Sequence, residues 1–334
     1  MKTDKILLSH GSGGKLTHEL IEELFKDKFN NEILNLLDDS AVFRIKKGSQ
    51  LAFTTDSFVV KPIFFPCGDI GKLSICGTVN DLAVCGAKPL FISCSAIIEE
   101  GFSIDKLKKI VESMTLTAKI AGVKIVTGDT KVVEKGSCDE IFINTSGIGV
   151  VPEDVCLSID RIKPGDKILI NGPIAEHGVA IIKSRERLDF KSEIKSDCAP
   201  LNSLCQSISS KVKFMRDPTR GGVSAVLNEI VLGRNFGIKI YEDKIPVRKN
   251  VKTFCDILGF DPLYIGNEGK VVVFVDEKNV EHVLNVMRKN KFGKESCIIG
   301  EVVDGPEGKV FLETVSGGKR IVDMPLAEQL PRIC

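Results

Sequence analysis

The sequence predicts an α/β (α+β) protein of two domains, and three observations carry that prediction. Short β-branched runs alternate with helical stretches along the whole chain. Its 334 residues exceed the span of about 100–200 residues usual for one domain. Between Pro152 and Gly165, in VPEDVCLSIDRIKPGD, turn formers and charge precede a new strand, which is the composition of a boundary. The expected division is 1–152, 153–324 and a tail over 325–334.

Taken in order, LTHELIEELFKDKF (16–29) reads as helix and LAFTTD (51–56) as strand. The stretch DIGKLSICGTVNDLAVCG (69–86) is helical and apolar on nearly every side, so it must be buried. IDKLKKIVESMTLTAKIAG (104–122) has its apolar residues at helical spacing and stops at Gly122. KIVTGD (124–129), IFINTSGIGVV (141–151), KILING (167–172) and KVVVFVD (270–276) read as strands, and VSAVLNEIVLG (223–233) as helix. In MRDPTRGG, Asp217 before Pro218 predicts an N-cap followed by Pro at the first helical position. Gly221 and Gly222 then imply a close approach to the backbone, either by phosphate at a helix N-terminus or by tight packing. After Met324, PLAEQLPRIC carries Pro325 and Pro331 and no apolar period, which predicts a mobile tail.

Composition excludes several function classes. Lys and Arg total 46 against 45 for Asp and Glu, so there is no electrostatic case for nucleic acid. No run of fourteen residues lacks a charged side chain, which excludes a membrane-spanning helix and any membrane role through one. MKTDKILLSHGSGGK fails the signal-peptide pattern, so a cytoplasmic location with the eleven cysteines as reduced thiols is expected. Cys67, Cys76, Cys85 and Cys94 recur every nine residues, which matches neither zinc nor iron–sulfur spacing. Most cysteines read as small buried apolar residues, and Cys334, the last residue, stands apart.

Carboxylates gather where strands are predicted to end: Asp38 and Asp39 after ILNLL, Asp56 after LAFTT, Asp129 after KIVTG. They are either turn residues or hard oxygen ligands for Mg2+ carrying nucleotide phosphates at the carboxyl ends of strands. Alternation along a strand turns only one of Asp38 and Asp39 toward any one pocket. Asp81 sits among apolar and small residues and needs either a metal ion or a hydrogen-bond network. GSGGK (11–15) does not fit the Walker pattern, and no G-x-G-x-x-G occurs. The four histidines show no metal spacing; His18 and His282 read as surface helix residues, and none is given a catalytic role.

GSGGKLTHELI, LDDSAVF, TTDSFVVKPIFFPCGDIGKLSICGTVNDLAVCGAKPL, IIEEGF, VTGDTKVV, INTSGIG, MRDPTRGGVSAVLNEI, DPLYIGNEGK and terminal PRIC follow one another from residue 9 to residue 334. In that order they resemble the HypE family of hydrogenase maturation factors, within the AIR-synthetase-like (PurM-like) ATP-binding superfamily. The resemblance implies an N-terminal α/β domain that pairs its strands across a homodimer, and a C-terminal α/β domain folded against it. It implies that a carbamoyltransferase, HypF, loads a carbamoyl group onto Cys334. ATP-dependent dehydration then yields a protein thiocyanate, and cyanide passes to iron on the HypC–HypD scaffold. Asp38 or Asp39, Asp56, Asp81 and Asp217 become Mg2+ ligands, with Asp81 also in the catalytic set. Gly128, Asp129 and Lys131 of TGDTK lie by phosphate or substrate, Lys131 as a catalytic residue, and Glu268 of NEGK is the base. Without the resemblance, Lys131 and Glu268 read as solvated surface ions.

Cys67 stands where the family more usually has glycine, and Cys85 where a larger apolar residue is common. A selenophosphate synthetase would carry a reactive Cys in the glycine-rich N-terminal segment, whereas the first cysteine here is Cys67. An AIR synthetase would have no use for Cys334. A non-enzymatic alternative makes PRIC a docking peptide and ATP structural.

Overall fold

The first half of the chain folds as a sheet covered by helices on one face. The computed structural model describes residues 5–6, 20–31, 50–186, 192–324 and 332–334. Asp38, Asp39, GSGGK (11–15), His10 and His18 lie outside the described residues. Strand β1 (Gln50–Phe58) is followed by the short pair β2 (Phe64–Phe65) and β3 (Gly68–Asp69), helix α1 (Ile70–Val84) and β4 (Lys88–Glu99). Helix α2 (Ile104–Ala121), β5 (Lys124–Val133) and β6 (Ile141–Val151) complete the unit. The sheet order is β1-β6-β4-β5, with only β4 and β5 parallel. A helical stretch over 21–29 precedes it.

The predicted burial of α1 holds: Ile70, Leu73, Ile75, Cys76 and Val79 are all fully buried. Asp69 caps α1 by accepting from Gly71 N–H at 2.7 Å and Lys72 N–H at 3.1 Å. Helix α2 stops at Gly122, which takes the left-handed conformation the stop signal requires. The opposite sheet face is open, with Leu51, Phe53 and Ile97 exposed at 48%, 69% and 44%.

The second half builds a seven-stranded sheet in the order β13-β12-β9-β11-β7-β10-β8. Its strands are β7 (Lys167–Ile170), β8 (Phe214–Arg216), β9 (Gly237–Tyr241), β10 (Val272–Val275), β11 (Cys297–Val303), β12 (Val310–Glu313) and β13 (Lys319–Ile321). Interleaved are α3 (Glu176–Arg185), α4 (Asn202–Ile208), α5 (Gly222–Val231), α6 (Lys249–Leu258) and α7 (Val280–Lys289). Buried Asn80 of α1 ties the halves together: its amide donates to the carbonyls of Ala199 at 3.1 Å and Glu268 at 3.3 Å, and accepts from Leu201 N–H at 2.8 Å. One continuous core cluster contains residues of both halves. Among the described residues, no helix is long and apolar enough to cross a membrane.

Two local expectations are corrected. β1 and β5 run past the predicted ends because β6 and β4 keep pairing with them, as far as Phe58↔Ile143 and Glu99↔Val133. Asp56 and Asp129 are therefore mid-strand residues rather than turn residues. Asp217 does not cap a helix; α5 begins at Gly222, and the loop before it is held by Asn267, whose N–H and side-chain amide both donate to the Pro218 carbonyl at 3.0 Å. Gly222 has φ +64°, and a Cβ there would lie 2.6 Å from the Leu263 carbonyl oxygen and 2.7 Å from that of Ile265. The close approach implied by the glycines is thus protein backbone.

Candidate functional site

Thr54 and Asp56 alternate onto the face of β1 that turns toward α1, where Asp81 lies near the end of the helix. The Thr54 hydroxyl donates to Asp81 Oδ2 at 2.8 Å, and Ser57 N–H donates to Asp56 Oδ1 at 2.8 Å. Freed from capping, Asp217 joins them from the loop before α5, and Glu268 joins from the loop before β10. Burial raises the Asp56 carboxyl above the usual range, partly offset by Ser57 N–H and Arg220. Burial also raises Asp81; the Thr54 hydrogen bond works against this and the charge of Asp56 adds to it. Asp217 is pushed up to about 7 by burial first and then by Asp81. Glu268, only 3% exposed, is held well above the carboxylate range by burial, then by Cys198 and Asp217. It is no surface ion.

Four carboxyl groups from β1, α1 and two loops of the second half thus repel one another in a partly desolvated place. The offsetting positive charges are Arg216 and Arg220, and Arg216 is itself bonded to Glu229 at 2.8 Å. The hard oxygens of these carboxyl groups fit Mg2+ better than a softer metal. Among the described residues, no three His, Cys, Asp or Glu side chains come close enough to hold an ion unaided.

Glu268 is held through its backbone. Its N–H donates to Asp197 Oδ1 at 3.1 Å, and its carbonyl accepts from Ala199 N–H at 3.3 Å and from Asn80. Buried Asp197 lies 2.9 Å from Lys270 Nζ. Burial pushes its carboxyl up, but the charge and hydrogen bond of Lys270 outweigh this and hold it below its usual value.

The last three residues are docked beside this cluster. Val59 N–H donates to the Cys334 carbonyl oxygen and Lys61 N–H to that of Arg332, each at 3.1 Å, so the chain end runs antiparallel to the segment just after β1. His177 Nε2 lies 2.6 Å from the Ile333 carbonyl oxygen. Ile333 is 2% exposed, and its Cδ1 fills the space a Cβ on Gly266 would take, two residues before Glu268. Cys334 is half-buried. Residues 325–331 lie outside the described residues.

TGDTK is elsewhere within the chain. Asp56, Thr145, Cys94 and Gly128 form one cross-strand row, which puts Gly128 three strands, about 14 Å, from Asp56. A Cβ on Gly128 would lie 2.3 Å from the Cys94 carbonyl oxygen, so its place in the sheet needs glycine. Asp129 and Lys131 project to the opposite, open face, exposed and paired with each other at 3.2 Å. The fold brings Asp56, Asp81, Asp217 and Glu268 together, pairs the chain end with the segment just after Asp56, and leaves Gly128, Asp129 and Lys131 apart.

Sequence reasoning missed Asn80, His177, Asp197 and Arg220. Only Asn80, a polar residue beside Asp81 in an apolar helix, carried a readable signal, the same one that singled out Asp81.

Comparisons with known proteins agree on the whole length of the chain. Residues 37–151 match the family model described as AIR synthase related protein, N-terminal domain, and residues 163–313 its C-terminal domain. A carbamoyl dehydratase HypE of Cupriavidus necator is 46% identical, covering 100% of this chain and 96% of that protein. The Escherichia coli carbamoyl dehydratase HypE is 44% identical over 99% of this chain and 100% of that protein. A crystal structure of hydrogenase maturation protein HypE in complex with ATP superposes with a TM-score of 0.93 at 44% identity, covering 98% and 99% of the two chains. A chain from a crystal structure of a HypE–HypF complex gives 0.80 at 53% identity, covering 92% and 99%. A thiamine-monophosphate kinase from Stenotrophomonas maltophilia, 16% identical with a TM-score of 0.67 over 88% and 95%, shares the fold alone.

Proposed function

This chain belongs to the HypE family of carbamoyl dehydratases, hydrogenase maturation proteins of AIR-synthase-related fold, and from that premise we propose that its own Cys334 carries the group it dehydrates. The substrate is an S-carbamoyl group on Cys334, the product a protein thiocyanate, and the cyanide serves as a ligand of the [NiFe]-hydrogenase iron. The observation that carries this reading is the docking of Arg332–Cys334 against Val59–Lys61, just past Asp56, with Ile333 packed on Gly266, two residues before Glu268.

Overall, S-carbamoyl cysteine and ATP give S-cyano cysteine, ADP and phosphate. ATP supplies the phosphoryl group that turns the carbamoyl oxygen into a leaving group, and Mg2+ neutralises charge on its phosphates. Asp56, Asp81 and Asp217, with Asp38 or Asp39, would hold the metal. Glu268 takes the amide protons one at a time as the C≡N bond forms, passing the first on before it accepts the second. Asp197 and Asn80 hold the Glu268 backbone in place.

The open sheet face, with Leu51, Phe53 and Ile97 exposed, supports a homodimer paired through it. Gly128, Asp129 and Lys131 lie on or beside that face and would serve phosphate or substrate in the partner's site. Similarity to the chain of the HypE–HypF complex supports HypF as the carbamoyl donor's enzyme. A HypC–HypD complex would be the cyanide acceptor, in the cytoplasm. The two sheets support domains over 1–152 and 153–324, followed by a tail over 325–334.

Peptide-level mass spectrometry of the Cys334 fragment after carbamoyl loading tests the reaction. Loss of one water only with Mg2+ and hydrolysable ATP is expected. A carbamoyl adduct that keeps its water despite bound ATP overturns the reading in favour of a docking module.

A further inference from the structure

His177 has no role in the chemistry above, yet it is fully buried and both ring nitrogens are engaged. The Ile333 carbonyl can only accept, so Nε2 carries the hydrogen in the 2.6 Å contact. Nδ1 is then the acceptor from the Ser196 hydroxyl at 2.8 Å, and Ser196 Oγ in turn accepts from Cys198 N–H at 3.1 Å. The Phe65 ring stands edge-on to the imidazole at 5.4 Å and 88°. Burial lowers the proton affinity of the ring and keeps it neutral. A neutral, orientation-locked N–H thus faces the chain end.

Successive carbonyls of an extended chain point to opposite sides. Those of Arg332 and Cys334 turn toward Lys61 and Val59, and that of Ile333 turns the other way, toward His177. The chain end is held along both edges, with the Ile333 side chain in the room left by Gly266. Its conformation is imposed by this groove: Arg332 has φ +58°, uncommon for a residue with a side chain, and its carbonyl also accepts from Arg185 Nη2 at 2.7 Å. Its guanidinium donates to Asp139 at 2.6 Å and to the Val59 carbonyl at 2.9 Å. A slip of one residue would turn the cysteine side chain to the opposite side.

We propose that His177 is a positioning residue that sets the register of the docked Arg332–Cys334 chain end through the Ile333 carbonyl. The inference rests on the reading that Cys334 carries the reacting group, but docking is measurable without any reaction.

The test uses the full-length protein, without ATP or carbamoyl donor, and follows two signals. One is alkylation of Cys334 resolved from the other cysteines by peptide mass spectrometry; the other is amide hydrogen exchange of Val59 and Lys61. His177→Leu should speed Cys334 alkylation at least tenfold and expose both amides, while His177→Gln, which keeps an N–H donor, should restore much of the protection. In the loaded enzyme, His177→Leu should lower the dehydration rate at least tenfold with the KM for ATP unchanged. A folded His177→Leu protein with wild-type alkylation and exchange overturns the proposal. Ile333→Asp, a change confined to the last three residues, should expose Cys334 equally; wild-type labelling of that variant also overturns it, even where His177→Leu fails to fold. Wild-type protein that never dehydrates its adduct refutes the reaction, whereas the labelling results still decide the groove.

Discussion

The seven-stranded sheet and the place where the two halves meet treat carboxylates in opposite ways. On the seven-stranded sheet, Glu301 lies 2.7 Å from Lys167 and 2.8 Å from Lys239 and accepts from the Tyr241 hydroxyl at 2.6 Å. These contacts pull its carboxyl down to about 2. Buried Lys213 sits between Asp166, at 2.6 Å, and Asp276, at 2.9 Å. Where the halves meet, Asp56, Asp81, Asp217 and Glu268 are all pushed upward. On the sheet these carboxylates have lysines beside them; where the halves meet, burial outweighs the nearby Arg216 and Arg220.

The largest expected effect sharpens that contrast. Glu268→Gln keeps the size of the side chain and removes the base, so dehydration should fall by about 10²–10⁴-fold with ATP binding retained, read as water loss from the Cys334 adduct. Lys213→Met should cost about 3–5 kcal/mol in a urea unfolding curve, because Asp166 is left buried beside an apolar chain. Per-molecule catalysis should survive at low temperature. If Lys213→Met instead abolishes catalysis in a folded protein, the two carboxylate regions are not independent.

Asp217→Asn should act in opposite directions on stability and activity. Its folded-state proton affinity is raised, so its favourable contribution is complete below about pH 4 and is lost as pH rises through about 7. The metal-free variant should therefore be more stable than wild type at pH 8, by on the order of 1 kcal/mol, with the gap closing as pH falls to about 4. Mg2+–ATP should stabilise wild type more than the variant in a thermal melt.

The smallest effect belongs to Glu301→Gln. Its pairs are part-exposed and screened, so the loss at pH 7 should stay near 1 kcal/mol or less and shrink in high salt. Because Glu301 is depressed, its stabilisation is present above pH 4.5 and vanishes as pH falls through about 2. A variant that loses more stability at pH 2 than at pH 7 would contradict this.

Much of the first half was legible because its elements are long and locally specified. α1 betrays itself by an apolar run broken only at Asn80 and Asp81, and α2 by its period and Gly122. The strand Lys88–Glu99 was not legible, although it is central: Pro89 and the small residues Ser93, Cys94, Ser95 and Ala96 suit crowding by Gly128 and Gly149, not intrinsic strand preference. The strands and helices missed in the second half are mostly short, and their places are set by neighbours distant in sequence. Within the site, Asp81 could be singled out from local context, whereas local context made Asp217 a helix cap. The reach of β1 and β5 past their aspartates could not, because pairing partners decide where a strand stops. His177 was invisible for the same reason, its carbonyl partner lying 156 positions away.

The Asn80 amide has a thermodynamic consequence. It closes three hydrogen bonds onto Ala199, Leu201 and Glu268, within one apolar cluster that runs through both sheets. Neither half can melt first without stripping that buried amide and baring the other half's core. Calorimetry should record a single endotherm, with its van't Hoff enthalpy equal to the integrated heat, from a chain whose sequence divides in two.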